Sequence, residues 1–165
     1  MPGAEERIGP PALLWQVLEG RAVFELGAMA WLYPLLRQAP RGDGHPVLVV
    51  PGFLASGSST FPLRQFLKSL GYAAHRWKQG RNLGGVGETE ERLLGRLREL
   101  RRRYGRKVSV IGWSLGGMYA RELAWMAPED VRLVITMGSP FRNHTGTAVT
   151  LLYEDVSGQS EAHMD

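Results

Sequence analysis

Apolar residues along this chain gather in short unbroken runs set between turn-forming residues. Val47-Leu48-Val49-Val50 is β-branched and has no polar alternation, the pattern of a strand covered on both faces in a parallel sheet. "YAAHRW" (72–77), "KVSVIGW" (107–113) and "VRLVITMGSP" (131–140, with a turn at its end) predict three more strands. Between them the spacing becomes helical. "FPLRQFLKSLG" predicts a helix ending at Gly71, with Ser58, Ser59 and Thr60 as candidate N-caps. Residues 88–104 carry Leu93, Leu97, Leu100 and Tyr104 on one stripe, and "LGGMYARELAWMAP" is helical from 115 until Pro128 stops it. The order β-α-β-α-β-α-β predicts an α/β fold, a doubly wound, mostly parallel sheet with helices on both faces. Ligands on such sheets bind beyond the carboxyl ends of the strands. Those ends carry Pro51-Gly52-Phe53, Gly80-Arg81-Asn82, Ser114 and Gly138-Ser139-Pro140.

Residues 12–36 are long and apolar, but Glu19, Arg21 and Glu25 interrupt them. Each charge at a bilayer centre costs about 2.5–3.5 kcal/mol on insertion scales. The segment therefore predicts an apolar helix packed on its own domain, or a peripheral membrane contact, and not a span. The expected organisation is an N-terminal helical segment at 1–40, an α/β core at 41–141 and a separate tail at 142–165.

The chain has no cysteine, which removes disulfides, thiolate metal sites and a cysteine nucleophile. Its start, "MPGAEERIGPP", is acidic and proline-rich and not the basic start of a signal peptide, so a cytoplasmic location is expected. Net charge is +4, and the run "RLLGRLRELRRRYGRK" (92–107) holds eight of the basic residues. Their place near the C-terminal end of a helix suits the macrodipole, and no nucleic-acid motif accompanies them. A solvated helix face is expected, and no nucleic-acid partner.

Gly112-Trp113-Ser114-Leu115-Gly116 matches G-x-S-x-G, with an apolar strand before it and a helix directly after it. In that context the serine stands in a sharp strand-to-helix turn. Side chains two residues before and after it would collide, so Gly112 and Gly116 are needed. Gly117 lets the helix approach the sheet. The turn presents Ser114 as a candidate nucleophile and aims the Leu115 N–H at the same point, where a helix N-terminus favours an oxyanion. The loop after the first strand offers a second donor, the Phe53 N–H, with Gly52 leaving the backbone unobstructed. Leu54, Arg81, Asn82 and Trp113 are pocket candidates. Arg81 and Asn82 either line the pocket or only hold their loop through backbone hydrogen bonds.

In "VLVVPGFLAS", "GRNLG", "VIGWSLGG" and "TMGSPF", spread in order over residues 47–141, the chain resembles the α/β-hydrolases, in particular bacterial lipases and esterases. The resemblance implies ester or acyl-transfer chemistry, Ser114 as nucleophile and an oxyanion hole from Phe53 and Leu115. It also implies that the catalytic acid and then the histidine follow Ser114 in the chain, and that 142–165 either begins a lid or cap or is a disordered tail. His45 and His75 precede Ser114, and His163 stands in a tail without pattern. His144, with Glu154 or Asp155, is the in-chain candidate for the base. No recognisable strand end carries an acid or histidine after Ser114, so the expectation is a chain lacking that half, and a truncated sheet that self-associates. The expected function is hydrolysis of small-molecule or lipid-like carboxylic esters without metal or organic cofactor. The alternative is a non-catalytic remnant or binding module.

Overall fold

The computed structural model describes residues 32–85 and 87–139. The expected N-terminal helix therefore lies outside the described residues up to 31, and the expected lid or tail at 142–165 lies outside them entirely. Residues 32–38 and the described residues from Ala39 onward fall in separate compact units. In the first, residues 32–36 form an exposed helical turn whose Tyr33 carbonyl accepts from the Arg37 N–H at 3.0 Å. Among the described residues no helix is long and apolar enough to cross a membrane.

The second unit contains β1 (Pro46–Val50), α1 (Phe61–Ser69), β2 (Ala73–Arg76), α2 (Glu88–Tyr104), β3 (Val108–Trp113), α3 (Leu115–Met126) and β4 (Val131–Met137). The strands lie in the order β2-β1-β3-β4, and every pairing is parallel. After β2 the chain crosses back over β1 to lay down β3, so winding reverses between β1 and β3. That reversal opens a crevice at their carboxyl ends, where Val50 pairs with Gly112.

All five residues of β1 are buried, as its unbroken apolar run predicts. Alternation turns Val47 and Val49 to one face, where with Ile111 they meet Leu63 and Leu67 of α1. Leu48 and Val110 turn to the other face, that of α2 and α3. There Leu93, Leu97 and Leu100 are fully enclosed, so the predicted stripe is the inner face of α2. Most of its basic residues lie on exposed faces, as expected of a solvated helix face, but Arg96 departs from that expectation and is buried, 7% exposed. Arg92 pairs with Glu88 and Arg96 with Glu99, while Arg98 and Arg101 each lie 3.7 Å from Asp130. Three glutamates in the first turn and three arginines in the last complement the helix dipole, and Gly105, at φ 63°, closes the helix in the left-handed conformation.

One expected cap differs. Thr60 holds the N-cap of α1, but its hydroxyl makes no capping bond. It donates instead to the Gly57 carbonyl at 3.0 Å and accepts from Arg64 Nε at 3.1 Å. Pro62 removes one of the donors that a cap would serve.

At the amino end of the sheet, His45 joins Asp43 through Nδ1 and Ser109 Oγ through Nε2, the latter at 2.8 Å. Arg132 also reaches Asp43, at 3.0 Å, and Arg106 pairs with the same carboxylate. His45 foremost, then Arg132, holds that carboxyl well below the usual range. The array resembles a Ser-His-Asp relay, but Ser109 and His45 are buried, and its effect is to tie the entry of β1 to β3 and β4.

His75, half-buried in β2, meets the Tyr104 hydroxyl at 2.9 Å. Burial first, and then the charges of Arg96, Arg103 and Lys68, depress its pKa from 6.5 to about 4. The unfolded chain therefore binds this proton more readily than the folded one. Stability from this group is full above pH 6.5 and declines as pH falls toward about 4. Urea unfolding across that window is expected to show the decline, and His75→Gln to flatten it. An unchanged slope in the variant would exclude His75 as its source.

Candidate active site

Ser114 leaves β3 at φ 51° and ψ −123°, a conformation that non-glycine residues rarely adopt. Neighbouring groups hold it there. Its N–H donates to the Met137 carbonyl at 2.8 Å. Its own carbonyl accepts from the Gly117 N–H at 2.8 Å and from the Ser139 hydroxyl at 2.7 Å. The Ser114 hydroxyl makes no capping bond to α3 although the residue occupies the N-cap position. Leu115 is the first helical residue, so its N–H has no carbonyl one turn back to bind.

The glycines are required at close range. A Cβ on Gly112 would overlap the Gly116 carbonyl and the Gly117 nitrogen. One on Gly116 would stand 2.5 Å from the Val50 oxygen and 2.6 Å from that of Pro51, and one on Gly117 would overlap Ser139 Oγ. A Cβ on Gly52 would be 3.2 Å from the Trp113 oxygen and 3.3 Å from Ser114 Cβ. The loop after β1 thus lies directly against the serine turn, and Phe53 is its next residue.

Asn82 holds that loop in place. Its side chain is fully buried; Nδ2 donates to the Pro51 carbonyl at 2.9 Å, and Oδ1 accepts from the Gly84 N–H at 3.1 Å. Its backbone accepts from Leu54 at 2.7 Å and donates to Ala55 at 2.8 Å. Of the two readings left open by the sequence, the amide of Asn82 is committed to bracing the loop. Leu54, at φ 58°, is turned outward and 40% exposed. Arg81 is exposed and bridges Ser56 through its backbone. Trp113 is 52% exposed beside Ser114, so it stands at the surface of the crevice and not in the core. Asn82→Ala would strand the buried Pro51 carbonyl and Gly84 N–H, with an expected loss of about 2–4 kcal/mol. Thermal or urea unfolding checks this, and a variant as stable as wild type would contradict it.

The structure brings Gly52, Ser114, Leu115 and Ser139 together. Neither described histidine joins them, since His45 is bound to Asp43 and Ser109, and His75 to Tyr104. His144 lies outside the described residues. Ser139 had no role in the sequence reading. Its position at the carboxyl end of β4 was visible, but its bond to the Ser114 carbonyl spans 25 residues and appears only on folding.

No protein-family model matches this chain, and neither does any curated protein sequence. Solved structures do. The mature form of the Bacillus licheniformis lipase BlEst2 is 25% identical at a TM-score of 0.53, over 74% of this chain and 54% of that one. MGS-MChE2, an α/β hydrolase enzyme from the metagenome of lagoon sediments at Mar Chica, Morocco, is 23% identical at a TM-score of 0.47, over 72% of this chain and 53% of that one. The chain spans about half the length of these two solved proteins. With its four parallel strands and the likeness to the Bacillus lipase, the chain has the α/β-hydrolase fold of bacterial lipases and esterases.

Proposed function

We propose that this chain carries the nucleophile and oxyanion half of a serine hydrolase acting on carboxylic esters. The observation that carries the reading is Ser114 at φ 51°, pinned on both sides, with its hydroxyl uncommitted to α3. In this reading Ser114 Oγ attacks the ester carbonyl, and the N–H groups of Leu115 and Phe53 stabilise the oxyanion. One such donor contributes about 2.7–4 kcal/mol of transition-state stabilisation. A histidine must take the hydroxyl proton and an acid must orient it. Both come from residues outside those described. The exposed Leu54 and Trp113 support a preference for apolar acyl groups.

Covalent labelling by a fluorophosphonate, located by peptide mass, tests the reading, and modification at any residue other than Ser114 would sink it. His144→Ala assigns the base, because loss of esterase activity would give the role to His144 and unchanged activity would exclude it. Self-association belongs to the same reading. It is supported by β4, which ends the described sheet and exposes Leu133 and Ile135. Sedimentation is expected to give a dimer or larger species, and a monodisperse monomer would refute this part.

A further inference from the structure

A cavity of about 460 Å³ lies at the carboxyl end of β2, lined by Ser56, Gly57, Ser58, Arg76, Trp77, Lys78 and Gly80. None of these residues belongs to the serine turn. The lining combines two cations with two hydroxyls over a rigid floor. Trp77 is 2% exposed and donates its indole N–H to the Gly80 carbonyl at 3.1 Å, which fixes the turn under the cavity. Lys78 stands within that turn at φ 65°, a strained conformation for a side chain of its kind.

A third cation stands behind the lining. Arg64 of α1 donates to the Gly57 carbonyl at 2.8 Å and to Thr60 Oγ1 at 3.1 Å. Gly57 also lies against the stem of Arg76, since a Cβ there would be 3.4 Å from Arg76 Cβ. Arg64 and Arg76 therefore flank one peptide. Burial, and then the charge of Arg76, weaken the hold of Arg64 on its proton. Lys78 has a partial partner, Glu99 at 4.0 Å, which also binds Arg96. Among the described residues no carboxylate pairs with Arg64 or Arg76. Two neighbouring guanidinium groups without a counter-charge, beside two serine hydroxyls in a concave site, suit a ligand with a doubly charged end.

We propose that this cavity is a second binding site, for the phosphate group of a small phosphorylated molecule. Arg76 and Lys78 bind its oxygens, and the Ser56 and Ser58 hydroxyls complete the contact. Arg64 adds charge from behind. The site does not depend on the chemistry at Ser114.

The test is calorimetric titration of the whole chain with inorganic phosphate at low ionic strength. Saturable one-site binding is expected, weakened about tenfold or more in Arg76→Gln and less in Lys78→Gln, whose charge Glu99 already shares. Arg76 is exposed, so the variant should keep the wild-type melting temperature, and that is measured alongside. Ser114→Ala is expected to bind phosphate as wild type does. Absence of saturable binding, or equal binding by Arg76→Gln, would overturn the proposal. Vesicles of phosphatidylcholine with and without phosphatidic acid separate the sources. Arg76-dependent binding only to the acidic vesicles assigns a lipid headgroup, and phosphate binding without vesicle binding assigns a soluble phosphate ester.

Discussion

On the proposed reading, Ser114→Ala is expected to abolish fluorophosphonate labelling and to lower kcat for ester hydrolysis by about 10⁶-fold. The loss is large because the covalent route disappears, and what survives is oxyanion binding alone, about 10³–10⁴-fold over water. The same position separates chemistry from folding. At φ 51° every side chain is strained, so alanine gains nothing by replacing serine. Glycine does gain, and Ser114→Gly is expected to be about 1 kcal/mol more stable while equally unreactive. A more stable but unlabelled glycine variant is the behaviour of a strained nucleophile. A glycine variant that is less stable, or an alanine variant that still hydrolyses p-nitrophenyl esters, would place the serine in an ordinary structural role.

The second large effect is expected at Gly112. Its alanine variant would drive a methyl group into the Gly116 carbonyl and the Gly117 nitrogen, which are backbone atoms that cannot rotate away. Relief requires α3 to lift from β3, which breaks the packing of Leu115, Tyr119 and Leu123, all buried beneath that helix. A loss of about 4 kcal/mol or more is expected, against a total of about 5–15 kcal/mol for a domain. The chain should be largely unfolded at moderate urea. Gly95 is the control. It lies inside α2 with nothing within 4 Å of an added Cβ, so Gly95→Ala is expected to stabilise by about 0.8–1 kcal/mol through helix propensity alone. Urea midpoints of the two variants should move in opposite directions, and a small shift for Gly112→Ala would mean that the turn is looser than its contacts imply.

Much of this was legible before folding because it is local. Four apolar runs and three helical stripes set the element order, since the period of burial is written residue by residue. The serine turn was readable for the same reason. Its strand, small residues and helix are contiguous, and the collisions at Gly112 and Gly116 follow from the sharpness of the turn. The buried stripe of α2 and the charge gradient along it needed only helical geometry.

Other features depend on which distant segments meet. The strand order β2-β1-β3-β4, and with it the crevice between β1 and β3, follows from the direction of each crossover, which no local pattern records. The sequence leaves Asn82 either lining the pocket or holding its loop, and its amide braces the loop after β1 because it meets Pro51 across 31 residues. Ser139 meets the Ser114 carbonyl, and Asp43 gathers His45, Arg106 and Arg132, through contacts of the same long-range kind. The cavity at the end of β2 gains a third cation behind its lining when α1 sets Arg64 on the Gly57 carbonyl, against the stem of Arg76. The sequence by itself determined the kinds of element and the sharp geometry of the serine turn, because backbone period and steric demand act between near neighbours. Only the tertiary structure decided which polar groups are braces and which face solvent, because hydrogen-bond partners and burial are properties of segments far apart in the chain.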